Sequence, residues 1–243
     1  MVWDPQQQGG GVLSDMGCHC LAVGWYLLTP AGEHPRFMVP EQISADVGLL
    51  KWGTEPWLSQ LRDQYGVDYT TTPAEDFATG IVTYRNPQTG QRAKAQFTVW
   101  WMYDKQGLRL LVDGIGPGYA LEANSLRSPL EIFIGDAAAD GVADAELALE
   151  KATASRGLLA IQPNEADLYG YTDENIDAAN AFRNGTAPLL DFEYGLEIVR
   201  LTMAAYLSAE ENRVVDLTDA ATLAFLETYI PAIQLGNGSA QLR

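Results

Sequence analysis

Apolar residues recur at Val12, Met16, Val23 and Leu27 within Val12 to Leu28, a spacing that predicts a helix, and the run stops at Thr29-Pro30-Ala31-Gly32. Other sides of the same segment are also apolar, so this helix is expected to be buried. Gly9-Gly10-Gly11, just before it, would let the backbone turn sharply. From Arg36 to Trp52, Val, Ile, Phe and Leu surround Pro40 and Gly48, which predicts a strand with an irregular middle. Thr54 is placed to cap a short helix whose apolar face is Trp57, Leu58, Leu61 and Tyr65, ending at Gly66. Phe77 to Arg85 and Ala93 to Tyr103 flank Asn86-Pro87-Gln88-Thr89-Gly90 and read as an antiparallel hairpin. Leu108 to Ile115 and Leu130 to Ile134 read as further strands.

Acidic, alanine-rich sequence from Asp136 to Ala154 has few large apolar groups and is expected to be peripheral. Asp173 to Asn184 has helical spacing at Ile176, Ala179 and Phe182 and stops at Asn184-Gly185, which accounts for Asn184-Gly185-Thr186 without glycosylation. Asp191 is placed to cap a long helix over Phe192 to Ala209, with Leu196, Val199, Met203 and Tyr206 on one stripe. A short strand from Arg213 to Leu217 and a helix from Thr218 to Tyr229 complete the pattern. Without repeats or a linker, the expectation is one domain over 1–243, with a core at 9–217 and a helix and tail at 218–243. The predicted class is α+β: an open mixed, largely antiparallel sheet with helices packed on one face.

The 243 residues are 47% apolar, enough for one large core or two small ones. Fifteen Lys plus Arg against 32 Asp plus Glu leave a net charge of −17, which repels nucleic acid and anionic membrane surfaces and argues against both as partners. The longest apolar runs, Cys20 to Leu28 and Val99 to Tyr103, fall short of the roughly 18 to 20 residues that span a bilayer. The first residues lack a charged start and an apolar stretch of the secretory type, so a cytoplasmic location is expected. A disulfide between Cys18 and Cys20 would be strained, and reduced thiols suit the same compartment.

Chemistry concentrates at Asp15 and His19. Four residues apart on a helix, they would share one face. An imidazole can pass a proton to or from a hydroxyl while a carboxylate fixes its tautomer, which suits alcohol oxidation or carbonyl reduction. The alternative is a structural His–carboxylate contact. Cys18, His19 and Cys20 fan out by about 100° each on a helix and cannot converge on one ion, so no metal site is assigned. Gly114-Ile115-Gly116-Pro117-Gly118 is interrupted by proline and leads to another strand, which makes it a turn and leaves the chain without cofactor-binding residues of its own. His34, in a loop, is expected to be solvated. Trp3, Trp101 and Tyr119 are candidates for lining a substrate pocket, as is Tyr171 more weakly.

The run Gly9-Gly10-Gly11-Val12-Leu13-Ser14-Asp15-Met16-Gly17-Cys18-His19 closely resembles the signature that opens the C-terminal domain of the glucose-fructose oxidoreductase, inositol dehydrogenase and MocA family. The segments Asn184-Gly185-Thr186-Ala187-Pro188, Asp191 to Arg200 and Ala204 to Ala209 are similar to its closing pattern, in the right order. The resemblance, over about Trp3 to Leu217, implies a substrate-binding and dimerisation domain of an NAD(P)-dependent sugar or cyclitol oxidoreductase. It implies that His19 bonds the reacting hydroxyl and relays its proton, and that Asp15 positions substrate and imidazole. The family's nucleotide is bound by an N-terminal Rossmann domain that also carries a catalytic Glu-Lys-Pro lysine; neither is in these residues. The expectation is therefore a truncated or split substrate domain, needing NAD or NADP only with a Rossmann partner chain. The resemblance also implies a homodimer through the open sheet face, where Trp100 points away from Trp101. Two alternatives remain: a cofactor-free sugar-binding or scaffold protein, and a cofactor-independent hydrolase or lyase using Asp15 and His19 with acids such as Glu55 or Asp113.

Overall fold

Alternation along three long strands decides where the core lies. The computed structural model describes residues 3–103, 109–124, 130–134, 158–161 and 170–242; the peripheral segment expected at Asp136 to Ala154 lies outside them. Strands β1 (Val39–Gly48), β2 (Phe77–Arg85) and β3 (Arg92–Trp100) pair antiparallel, and β8 (Val215–Asp216) joins at the far edge of β1, giving the order β3-β2-β1-β8. The irregular middle expected for β1 is a register shift between Pro40 and Gln42. Ile43, Val47, Ala78, Val82, Tyr84, Phe97 and Val99 are buried on one face, while Ser44, Ile81, Gln96 and Thr98 alternate with them in solvent.

Two helices cover the apolar face: α2 (Cys18–Leu28) over β3, and α5 (Phe192–Glu211) over β1. Gly24 allows α2 to sit close, since a Cβ there would lie 2.9 Å from Ala95 Cβ. Trp25 packs between Tyr84 and Tyr194 and donates to Met38 O at 2.8 Å. Tyr194 donates its hydroxyl to Ala22 O at 2.7 Å, which ties the helices together.

Both stripes differ from the sequence expectation. The first helical segment buries Leu13, Gly17, Leu21 and Trp25, successive i+4 positions; of the expected stripe Val12 is buried and Met16 half-buried, but Val23 and Leu27 are exposed. In α5 the buried set includes Tyr194, Ile198, Leu201, Ala205 and Ser208; of the expected stripe Tyr206 is fully buried and Met203 half-buried, while Leu196 and Val199 face solvent. Both segments are apolar around most of their circumference, so periodicity marks the helix without choosing its inner side. Asp191 caps α5 as expected, accepting from Tyr194 N at 2.7 Å. The following helix, α6 (Ala220–Leu226), is capped by Asp219, so it begins later than Thr218. Between β1 and β2 the short helix α3 (Trp57–Tyr65) ends at Gly66 in the left-handed conformation.

Residues 104–188 form a second compact unit. Its strands β4 (Leu111–Gly116), β5 (Tyr119–Asn124), β6 (Leu130–Ile134) and β7 (Leu158–Ile161) make an antiparallel sheet in chain order. Helix α4 (Tyr171–Asn184) ends on Gly185 at φ 65°, the stop read from Asn184-Gly185. The class is α+β, with every described strand pairing antiparallel. Among the described residues no helix is long and apolar enough to cross a membrane.

Candidate functional site

The segment after the glycines is not uniformly α-helical. Pro5–Gln8 forms a short helix (α1), Leu13–Gly17 winds as one π-helical turn, and α2 follows directly. Single π turns inside helices recur at functional positions, and the turn carries Asp15. Half-buried, Asp15 accepts from Trp101 Nε1 at 3.1 Å and from Gln8 Nε2 at 3.3 Å. His19 lies in the first turn of α2, exposed, and no hydrogen bond joins it to Asp15. The expected carboxylate–imidazole pair is thus four residues apart and not hydrogen-bonded; the Asp15 carboxyl is held by Trp101 and Gln8 instead.

Trp3 and Trp101, two of the predicted pocket residues, do meet. Their ring centroids are 4.9 Å apart, and Trp3 lies equally close to Trp52 and 5.8 Å from Tyr65. Trp52 Nε1 donates to Trp101 O at 2.8 Å, and Tyr69 Oη donates to Trp3 O at 3.1 Å. The result is an aromatic wall beside Asp15, with the Lys51 ammonium 5.0 Å from the Trp52 ring and 5.5 Å from that of Trp57. Tyr119 and Tyr171 belong to the second unit, where Tyr119 opens β5 and both are exposed. Glu55 is exposed and accepts from Ser59 Oγ at 2.9 Å; Asp113 lies on β4 of the second unit. Burial pushes the thiols of Cys18 and Cys20 up, away from reactive thiolate.

Two buried acids that sequence reasoning passed over build this site. Glu75 is fully buried; its Oε1 accepts from Gly11 N at 2.9 Å, Leu13 N at 3.0 Å and Tyr206 Oη at 2.6 Å. Its carbonyl accepts from Val12 N at 3.0 Å. Three successive N–H groups at the start of the helical segment therefore end on one residue 62 to 64 positions away, in place of a local cap. Asp76, also fully buried, accepts from Leu50 N, Lys51 N and Trp52 N at 2.7 to 2.8 Å, and its carbonyl accepts from Trp101 N at 2.8 Å. The signal was present as two adjacent carboxylates directly before an alternating strand, where solvated acids are the ordinary reading.

The glycines follow from this packing. A Cβ on Gly10 would lie 2.0 Å from Tyr206 Oη, and one on Gly11 would lie 2.2 Å from Glu75 O. The sharp-turn explanation fits Gly9 and Gly10, at φ 88° and 144°, but Gly11 is there for close approach.

Burial pushes the Glu75 carboxyl from 4.5 up to about 7, against hydrogen bonds from Tyr206, Leu13 and Gly11 that pull it down. The folded chain holds more proton than the unfolded chain between those values. Glu75 therefore favours folding below about pH 4.5, and that contribution is lost as pH rises through 7, by at most about 3 kcal/mol at ~1.4 kcal/mol per unit. Urea unfolding should show wild type losing stability relative to Glu75→Gln from pH 5 to 8. Parallel curves would mean that the buried carboxyl ionises as it does in water.

A family model described as the oxidoreductase family, C-terminal alpha/beta domain, of the glucose-fructose oxidoreductase, inositol dehydrogenase and MocA group matches residues 2–217. The chain belongs to this family. Among solved structures, an oxidoreductase domain protein from Kribbella flavida is similar at 15% identity, with a TM-score of 0.60 over 90% of this chain and 54% of that one. The transcriptional regulator Gal80p from Kluyveromyces lactis is similar at 12% identity, with a TM-score of 0.49 over 87% of this chain and 46% of that one. The chain thus spans about half the length of the solved structures it matches. No curated protein matches it. The run Gly9 to His19 leads through the π turn into the start of α2, and the segments similar to the closing pattern run from the end of α4 into α5, whose Tyr206 reaches back through Glu75.

Among the described residues, the Gly114 to Gly118 cluster does not fit a nicotinamide dinucleotide. Pro117-Gly118 is the tight turn between β4 and β5, with Gly118 at φ 79°, so this glycine cluster leads strand to strand and presents no helix N-terminus to a pyrophosphate.

Proposed function

We propose that this chain is the substrate-binding domain of a sugar- or cyclitol-type oxidoreductase, with His19 as the proton-transferring group and Asp15 as the group that orients the substrate. The observation that carries the reading is the placement of an exposed imidazole four residues beyond a carboxyl that Trp101 and Gln8 already hold, beside an aromatic wall. Trp3 and Trp101 offer ring faces on which the C–H side of a sugar or cyclitol can pack, while Asp15 can accept its hydroxyls. His19, without a bond to Asp15, is available to take the proton of the hydroxyl being oxidised. The hydride acceptor this oxidation requires is assigned to NAD or NADP on a Rossmann domain outside the residues described, from the same polypeptide or a partner chain. A homodimer through the open face of the β1–β3 sheet and a cytoplasmic setting complete the proposal.

The chain's two histidines make the test simple. Titration with myo-inositol and D-glucose should move the His19 imidazole NMR signals in the millimolar range, about −4 kcal/mol, and leave His34 still. Asp15→Asn should weaken that binding at least about tenfold, or ~1.4 kcal/mol. If neither polyol moves His19 at saturating concentration, the sugar reading fails. Calorimetry with NADH and NADPH should show no binding to the chain alone, and micromolar affinity would overturn the assignment of the cofactor to a separate domain. Binding that is unchanged in Asp15→Asn would instead favour a sugar-binding or scaffold protein without a working site.

A further inference from the structure

We infer that Glu75 is a positioning residue of the candidate site: by holding the backbone where the π-helical turn begins, it sets the placement of Asp15 against Trp101. The inference rests on the reading of Asp15 as a working group.

The bond from Trp101 Nε1 to Asp15 has two ends, and both hang on one dipeptide. Asp15 follows directly from the backbone of Gly11 to Leu13, which Glu75 holds through its carboxyl and its carbonyl. Trp101 is held by its N–H to the carbonyl of Asp76, the next residue. A change at Glu75 therefore moves one end of a 3.1 Å bond while Asp76 keeps the other in place. Nothing nearby can absorb that change, because Glu75, Gly11, Val12 and Leu13 are all buried and close-packed.

The proton on Glu75 is what changes. As a carboxylate it accepts from every donor aimed at it, including Gly11 N–H, which reaches both oxygens at 2.9 and 3.0 Å. Protonation of Oε2 turns it into a donor that faces Gly11 N–H, so Gly11 is held by Oε1 alone and the Gly11 to Leu13 backbone is held less tightly. The titratable groups that act on or respond to Glu75 are Tyr206 from α5 and Tyr69 from the loop after α3, whose phenol is pushed up by burial and then by the charges of Glu75 and Asp76; the Asp76 carboxyl itself is turned to the backbone of Leu50 to Trp52. Burial brings the midpoint of Glu75 into the neutral range. The geometry of the site is thereby coupled to pH through a group that never touches substrate.

The test reads geometry in the full chain and no activity. In the ¹⁵N-labelled protein, the Trp101 indole N–H signal, identified among six tryptophans by its loss in Trp101→Phe, is followed from pH 5 to 9. A step near neutral pH is expected in wild type and in His19→Asn, and it should vanish in Glu75→Gln. Tyr206→Phe removes a donor that favours the carboxylate, so the step should move to higher pH. A wild-type signal without a step, a step that survives Glu75→Gln, or one that vanishes in His19→Asn overturns the inference. If Glu75→Gln does not fold, Tyr206→Phe decides, and an unmoved midpoint overturns it. A missing step would leave the polyol titration of His19 standing. Failure of that titration would leave the step standing.

Discussion

Gly11→Ala should destabilise the protein by about 4 kcal/mol or more, close to the whole stability of an ordinary domain at ~5–15 kcal/mol. The added Cβ would lie 2.2 Å from Glu75 O and 2.7 Å from its carboxyl, atoms that belong to a fully buried residue and cannot swing away. Relieving the overlap would cost about 1–3 kcal/mol as overpacking. It would also pull Gly11 N and Leu13 N from Glu75, leaving buried donors unsatisfied at about 1–3 kcal/mol each. Gly9→Ala is the internal comparison. Gly9 has φ 88°, but its Cβ would approach only Ser14 Oγ, at 3.6 Å, so left-handed strain of about 1 kcal/mol is all that is expected. Gly195→Ala, within α5 and with nothing within 4 Å, should stabilise by about 0.5–1 kcal/mol. Urea midpoints in the order Gly195→Ala, wild type, Gly9→Ala, Gly11→Ala would support close approach. Equal losses at Gly9 and Gly11 would restore the turn explanation.

Asp76→Ala should cost about 4 kcal/mol and loosen the aromatic wall. It removes the acceptor of three backbone N–H groups, those of Leu50, Lys51 and Trp52, in a place without solvent. Trp52 then loses the anchor that presents its ring to Trp3. Asp76→Asn keeps one acceptor oxygen and places an amide among the donors, so about half the loss is expected. Chemical denaturation measures the first effect, and the near-ultraviolet circular dichroism of the Trp3, Trp52 and Trp101 cluster measures the second. A loss below about 1 kcal/mol with an unchanged spectrum would show that water replaces the carboxyl without cost.

Much of this architecture was legible from local rules. The β2–β3 hairpin, the stop at Gly185 and the cap at Asp191 each depend on residues within a few positions of one another. The inner faces of α2 and α5 were not legible, because both helices are apolar on several sides and only the sheet beneath selects Leu21 over Val23, or Ile198 over Val199. At the site, the positions of Asp15 and His19 followed from spacing and from the resemblance. Their relation did not, since the π turn and the claim of Trp101 on the carboxyl arise from residues 86 positions apart.

By itself, the order of residues determined the α+β class and the family, since both are written in short-range patterns of apolarity, glycine and charge. Only the tertiary structure decided why the glycines stand where they do. Their neighbours, Glu75 and Tyr206, come from distant stretches of chain, and a buried acid reveals its role only when the backbone N–H groups that need it have been brought to it.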